Sequence, residues 1–154
     1  MKLPTSALAA GLLLLCAQIA PAATYRVDDS GTITDQAVVK MKWRDLVPGR
    51  GSDNTIEGQL RVALRLNLSP WVGKPIRLYM GLANTARGEP VEATWRTQGR
   101  LLAGTVRSGG RTLVFDGVAG QPVLEETIEM ALSTDGRAVV STESLQFYFE
   151  VDTE

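Results

Sequence analysis

Apolar and polar side chains alternate along most of the chain with a period of two. Over residues 56–68 the even positions are Ile56, Gly58, Leu60, Val62, Leu64, Leu66 and Leu68. The odd positions are Glu57, Gln59, Arg61, Ala63, Arg65 and Asn67. Successive side chains of a strand point to opposite faces, so the pattern predicts a strand with one dry and one wet side. A helix would bring Leu60, Leu64 and Leu68 together but swing Val62 and Leu66 almost to the opposite side.

The same signature recurs at short intervals. Ile76, Leu78, Met80 and Leu82 alternate with Arg77, Tyr79 and Gly81, and Val91, Ala93 and Trp95 alternate with Glu92, Thr94 and Arg96. Ile128, Met130 and Leu132 share one face, and the last strand sets Leu145, Phe147, Phe149 and Val151 inward with Gln146, Tyr148 and Glu150 outward. Residues 102–106 and 112–118 flank Ser108-Gly109-Gly110-Arg111, whose paired glycines suit a tight hairpin. Eight or nine short strands joined by Gly, Pro, Asn and Asp turns predict an antiparallel sandwich or barrel. Residues 45–54 and 83–90 read as loops by composition. Residues 24–36 are polar and irregular apart from Tyr25, Val27 and Ile33, and read as an N-terminal arm ahead of a domain over 37–154.

Residues 1–23 fall outside this pattern. Lys2 supplies a positive start, residues 7–20 are apolar around Leu12 to Leu15, and Ala20-Pro21-Ala22-Ala23 offers small residues for cleavage. These are the three parts of a secretory signal peptide, with cleavage expected near Ala22 or Ala23. The apolar run falls short of the roughly 20 residues needed to span a bilayer. The mature chain is therefore expected outside the cytoplasm, in the periplasm or at the cell surface, with no membrane span after processing.

Composition narrows the chemistry sharply. The chain has no histidine, and its one cysteine, Cys16, lies in the signal segment. The exported part thus meets an oxidising compartment without using a disulfide. Histidine-dependent hydrolases and the usual zinc or copper sites lose their ligands and bases. Asp28-Asp29 with Ser30 and Asp35 is oxygen-rich but lacks the calcium-loop spacing. Glu125 and Glu126 are adjacent strand residues and point to opposite faces, against a paired-carboxylate site. No enzyme activity, cofactor or metal is expected.

Sixteen basic residues against 17 acidic ones give no case for nucleic-acid binding. The charge is nevertheless uneven: residues 24–111 carry 14 basic and 8 acidic groups, whereas residues 112–154 carry Arg137 alone against nine acids. Cross-strand pairing within one sheet, with Arg61 and Arg65 opposite an acidic C-terminal strand, accounts for this most simply. Trp71, in Ser69-Pro70-Trp71-Val72-Gly73, is the candidate exposed aromatic at one end of the fold, against the alternative that it caps the core.

An exported, histidine-free, all-β chain with an N-terminal arm resembles chaperone–usher pilus (fimbrial) subunits. Gly136 followed by Tyr148 is similar to the glycine-to-tyrosine spacing near the pilin C-terminus, although Tyr148 has six residues after it. The resemblance implies an immunoglobulin-like sandwich of about eight strands, a donor arm carrying Tyr25, Val27 and Ile33, and β-strand addition between subunits. Partners would be other subunits and a periplasmic chaperone. The alternative is a stand-alone periplasmic binding module that uses the loops 45–54 and 83–90.

Overall fold

The computed structural model describes residues 22–46, 49–139 and 144–153. Residues 1–21, most of the segment expected to be a signal peptide, lie outside the described residues. Among the described residues ten antiparallel strands form two sheets: β1 (Ala23–Arg26), β2 (Ile33–Thr34), β3 (Lys42–Trp43), β4 (Thr55–Asn67), β5 (Pro75–Leu82), β6 (Val91–Thr97), β7 (Gly104–Arg107), β8 (Arg111–Val118), β9 (Val123–Asp135) and β10 (Phe147–Thr153). One sheet runs β1-β10-β5-β8. The other runs β2-β4-β9-β6-β7, with β3 also on the free edge of β4. The chain is an all-β antiparallel sandwich.

Alternation decides which side of each strand is dry. Leu64 and Leu66 of β4, Leu78 and Met80 of β5, Trp95 of β6, Ile128 of β9, and Phe149 and Val151 of β10 meet in one core between the sheets. Each such side chain contributes about 1.5–3 kcal/mol by leaving water. Trp95 also satisfies its polar edge, donating Nε1–H to the Leu102 carbonyl at 2.9 Å. Gly58 leaves a gap on the dry side of β4 that Val39 and Met41 fill from the segment between β2 and β3.

Strand order departs from the immunoglobulin-like arrangement expected above. Counting only the eight strands of four residues or more, the sheets read 1-8-3-6 and 2-7-4-5. That is the order of a jelly roll, a double-sheet fold built from two Greek keys. In an immunoglobulin sandwich the first two strands share a sheet, as do the last two. Here β1 and β4 lie in opposite sheets, and so do β9 and β10.

The glycine turn at 108–111 is the clearest local correction. It is tight, with Gly109 at φ 81° and the Gly110 N–H bonded to the Arg107 carbonyl at 2.9 Å. Yet β7 pairs with β6 and β8 pairs with β5, so the turn hands the chain from one sheet to the other instead of closing a hairpin. The end of β5 holds it there: Gly109 donates to the Leu82 carbonyl at 2.7 Å and the Leu82 N–H donates to Gly110 at 3.1 Å.

Candidate functional site

The arm is docked on its own sandwich and bridges both sheets. Ala23, Thr24, Tyr25 and Arg26 lie opposite Thr153, Asp152, Val151 and Glu150 of β10. The chain then crosses over, with the Val27 N–H on the Phe149 carbonyl at 2.9 Å and Asp28 bridged to Asn67 of β4. Ile33 and Thr34 continue along the same edge against Ala63 and Val62. The three candidate donor side chains differ: Val27 is 2% exposed in the core, Tyr25 48% and Ile33 68%. Ala22 is exposed and Ala23 opens β1, so the expected cleavage region coincides with the start of the first strand.

A polar network on the outer face of the β1 sheet fastens the arm. Thr24 donates its hydroxyl to Asp152 Oδ1 at 2.7 Å, and Arg111 reaches both carboxylate oxygens of Asp152 at 3.1 and 3.0 Å. Arg111 also contacts Glu150 at 3.3 Å and stacks over the Tyr79 ring, 4.2 Å from its centroid. The Arg111 hydrogen bonds hold the Asp152 carboxyl below its ordinary range, assisted by Thr24. Arg26 stacks over Tyr148 at the same 4.2 Å. Both aromatic faces on this side of the sheet are therefore occupied by guanidinium groups.

Trp71 does not present the exposed aromatic face considered in the sequence. It ends a single 3-10 turn, Ser69–Trp71, and is 8% exposed among the core residues. The turn begins with Pro70 and is followed by the Lys74 N–H on the Trp71 carbonyl at 2.9 Å. Tyr25 of the arm packs on it, ring centroids 6.1 Å apart and tilted by 52°.

The two loops singled out by composition emerge at the same end of the sandwich. Thr55, after the first loop, lies opposite Asp135, and Val91, after the second, lies opposite the adjacent Thr134. Residues 47 and 48 of the first loop lie outside the described residues. Arg44 crosses that loop to Asp53 at 3.0 Å and to Glu57. Thr85 in the second is buried and donates to the Glu89 carbonyl at 2.8 Å.

The acidic pairs are taken up structurally. Glu125 faces outward onto Arg65 at 3.0 Å, and Arg61 meets Glu129 at 3.2 Å, each pair directly opposite in register. Glu126 lies opposite Leu64, on the dry side, and turns to the residue 99–101 loop. It accepts the backbone N–H groups of Arg100 at 2.7 Å and Leu101 at 3.1 Å, with the Thr97 hydroxyl as a third donor. Asp28 closes a local turn onto the Ser30 N–H at 3.0 Å, whereas Asp35 accepts from the Arg61 N–H. Since Asp28 is bridged to Asn67, those two acids are about 20 Å apart along β4 at strand spacing. Among the described residues no three metal-ligating side chains converge.

One concavity was not foreseen. A depression of about 570 Å3 lies on the outer face of the β4 sheet, with Gln59 and Arg61, Glu129 and Ala131, and Thr94 and Arg96 around it, and Asp35 and Gln36 at its rim. The rows Gln59–Ala131–Thr94 and Arg61–Glu129–Arg96 run straight across three strands. Ala131 is the short residue at the centre. Its neighbours in sequence gave a signal, an alanine on the wet side of a strand, but only the pairing of β9 between β4 and β6 turns that into a hollow.

Comparison with models of known families, with curated proteins and with solved structures finds no match to this chain.

Proposed function

We propose that the chain is an exported structural or adhesive subunit of a surface fibre, and that neighbouring subunits are joined by exchange of the N-terminal arm. The observation that supports this reading is the arm's placement at the free edges of both sheets. Its backbone adds to β10 and then to β4, while only Val27 is seated in the core. A strand held mainly by ladder bonds can add to an identical edge on a second copy, because those bonds carry the affinity and alternate side chains set the register. Exchange conserves every such pairing, so the closed monomer and the linked chain differ chiefly in the segment that joins the arm, residues 24–36, to the rest of the domain.

A second reading has its own support. The sandwich is complete with its arm in place, and the two loops 45–54 and 83–90 share one end. That arrangement suits a self-contained periplasmic binding module. Deleting residues 24–35 separates the two readings. For a fibre subunit, the truncated protein captures the arm of added full-length protein and forms complexes larger than either alone, read by light scattering after size exclusion. For a self-contained module, full-length protein remains monomeric at high concentration and does not associate with the truncated form.

A further inference from the structure

We infer that the depression on the outer face of the β4 sheet is a binding site for a neutral oligosaccharide. Three features of the surface lead there. The first is shape: Ala131 lies directly between Gln59 on β4 and Thr94 on β6, so a methyl group forms the floor where its neighbours are longer. The rim on the β4 side stands because residues 35 and 36 are fixed to β4. Asp35 accepts the Arg61 N–H at 3.0 Å, and Gln36 donates Nε2–H to the Gln59 carbonyl at 3.0 Å.

The second feature is charge. Arg61 and Arg96 balance Asp35 and Glu129 around the hollow, which disfavours a strongly anionic or cationic ligand. Arg61 is engaged with Glu129 Oε1, whereas Arg96 has no ion-pair partner among the described residues although it stands opposite Glu129 in register. Its donors, the second oxygen of Glu129 and the amide of Gln59 offer mixed donors and acceptors, the requirement for hydroxyl groups, which both give and take hydrogen bonds.

The third feature is spacing. Neighbouring strands stand about 4.8 Å apart, close to the length of one pyranose ring. A sugar chain lying across the strands would therefore meet a new polar side chain at each residue of the row Arg61–Glu129–Arg96, beside the Ala131 floor. With no aromatic side chain around the hollow, ring stacking adds nothing, and recognition rests on hydrogen bonds to a preformed polar surface. This site lies away from the arm's pairing with β10, but its rim residues Asp35 and Gln36 close the arm, so an exchanged arm would supply the same rim from a neighbouring subunit.

The test is amide chemical-shift mapping of the isotope-labelled mature chain with soluble hexasaccharides of glucose, N-acetylglucosamine and mannose, and with a hexamer of galacturonic acid. At least one neutral sugar should shift the amides of residues 59–61, 94–96 and 129–131 together. Ala131→Arg, which fills the hollow from an outward strand position, should abolish those shifts while the rest of the spectrum is retained. Arg96→Ala should weaken binding by roughly tenfold, as loss of a charged hydrogen-bond donor does. No response to any neutral sugar, a response to the acidic hexamer alone, or shifts that persist in Ala131→Arg would each overturn the assignment.

Discussion

The phenol ring of Tyr148 lies across Gly81, its direct cross-strand neighbour in the β10–β5 ladder. A Cβ at residue 81 would overlap the ring, so glycine is what lets the tyrosine lie down on the sheet. The ring in turn covers backbone that glycine leaves bare, and Arg26 of the arm stacks on it. Gly81→Val should cost about 1–2 kcal/mol by forcing the ring off its seat. In a Tyr148→Ala background the same substitution should cost little or become favourable, because valine suits a strand. Chemical denaturation of the four proteins gives this coupling directly; additive effects would mean that the ring is not seated on Gly81 in solution.

Core parity supplies a second expectation. Leu66 is fully buried in β4 and its neighbour Arg65 faces outward onto Glu125. Leu66→Ala should destabilise by about 2–5 kcal/mol, and Arg65→Ala by less than about 1 kcal/mol. Denaturant midpoints decide it, and the reverse ranking would invert the register of β4.

Glu126 is the acid whose loss should be felt. Its carboxylate satisfies two backbone N–H groups of the residue 99–101 loop from the dry side of β9. Glu126→Ala leaves those donors without their acceptor and should cost about 1–3 kcal/mol. Glu125→Ala, one residue away on the exposed face, should change stability by less than about 1 kcal/mol. Amide exchange at Arg100 and Leu101 should rise only in the first variant.

Acid should loosen the arm. The Asp152 carboxyl is held below its ordinary value by Arg111 and Thr24, and Asp135 is lowered to about 2 by Arg137. A group lowered in the folded state contributes stability above its unfolded pKa and loses it as pH falls through the folded value. Stability should therefore be flat at neutral pH and decline from about pH 4 downward. Asp152→Asn should flatten part of that decline, and in the unmodified protein amide exchange in residues 24–26 should quicken over the same range. Exchange there that does not change with acid would mean the Thr24–Asp152–Arg111 contacts do not hold the arm.

The dry and wet faces of β4, β5, β6, β9 and β10 could be read from alternation alone, because a two-residue period is a local property. The pairing of Arg61 and Arg65 with an acidic C-terminal strand was legible from the uneven charge along the chain, although the strand concerned is β9 and not the last one. What alternation does not carry is sheet membership. Gly109 and Gly110 announce a turn, but whether β8 returns to β7 or leaves for the other sheet is decided by the backbone of Leu82, far away in sequence. The depression suffered likewise: Gln59, Thr94 and Ala131 are unremarkable separately, and their row exists only through pairings between distant strands. Trp71 was ambiguous because a turn between strands can tip a side chain either way. In the fold it is turned inward, 8% exposed, with Tyr25 packed on it.

The β1–β10 ladder also fixes an order of events. Ala23 finds its place only opposite Thr153, so the first strand made must wait for the last. Until residues 147–153 arrive, β1 has no neighbour in its own sheet, and β5 lacks the strand that separates it from β1. Closure of this sheet thus waits for β10. Before that contact forms, β1 and the edge of β5 that β10 covers are both open to other chains.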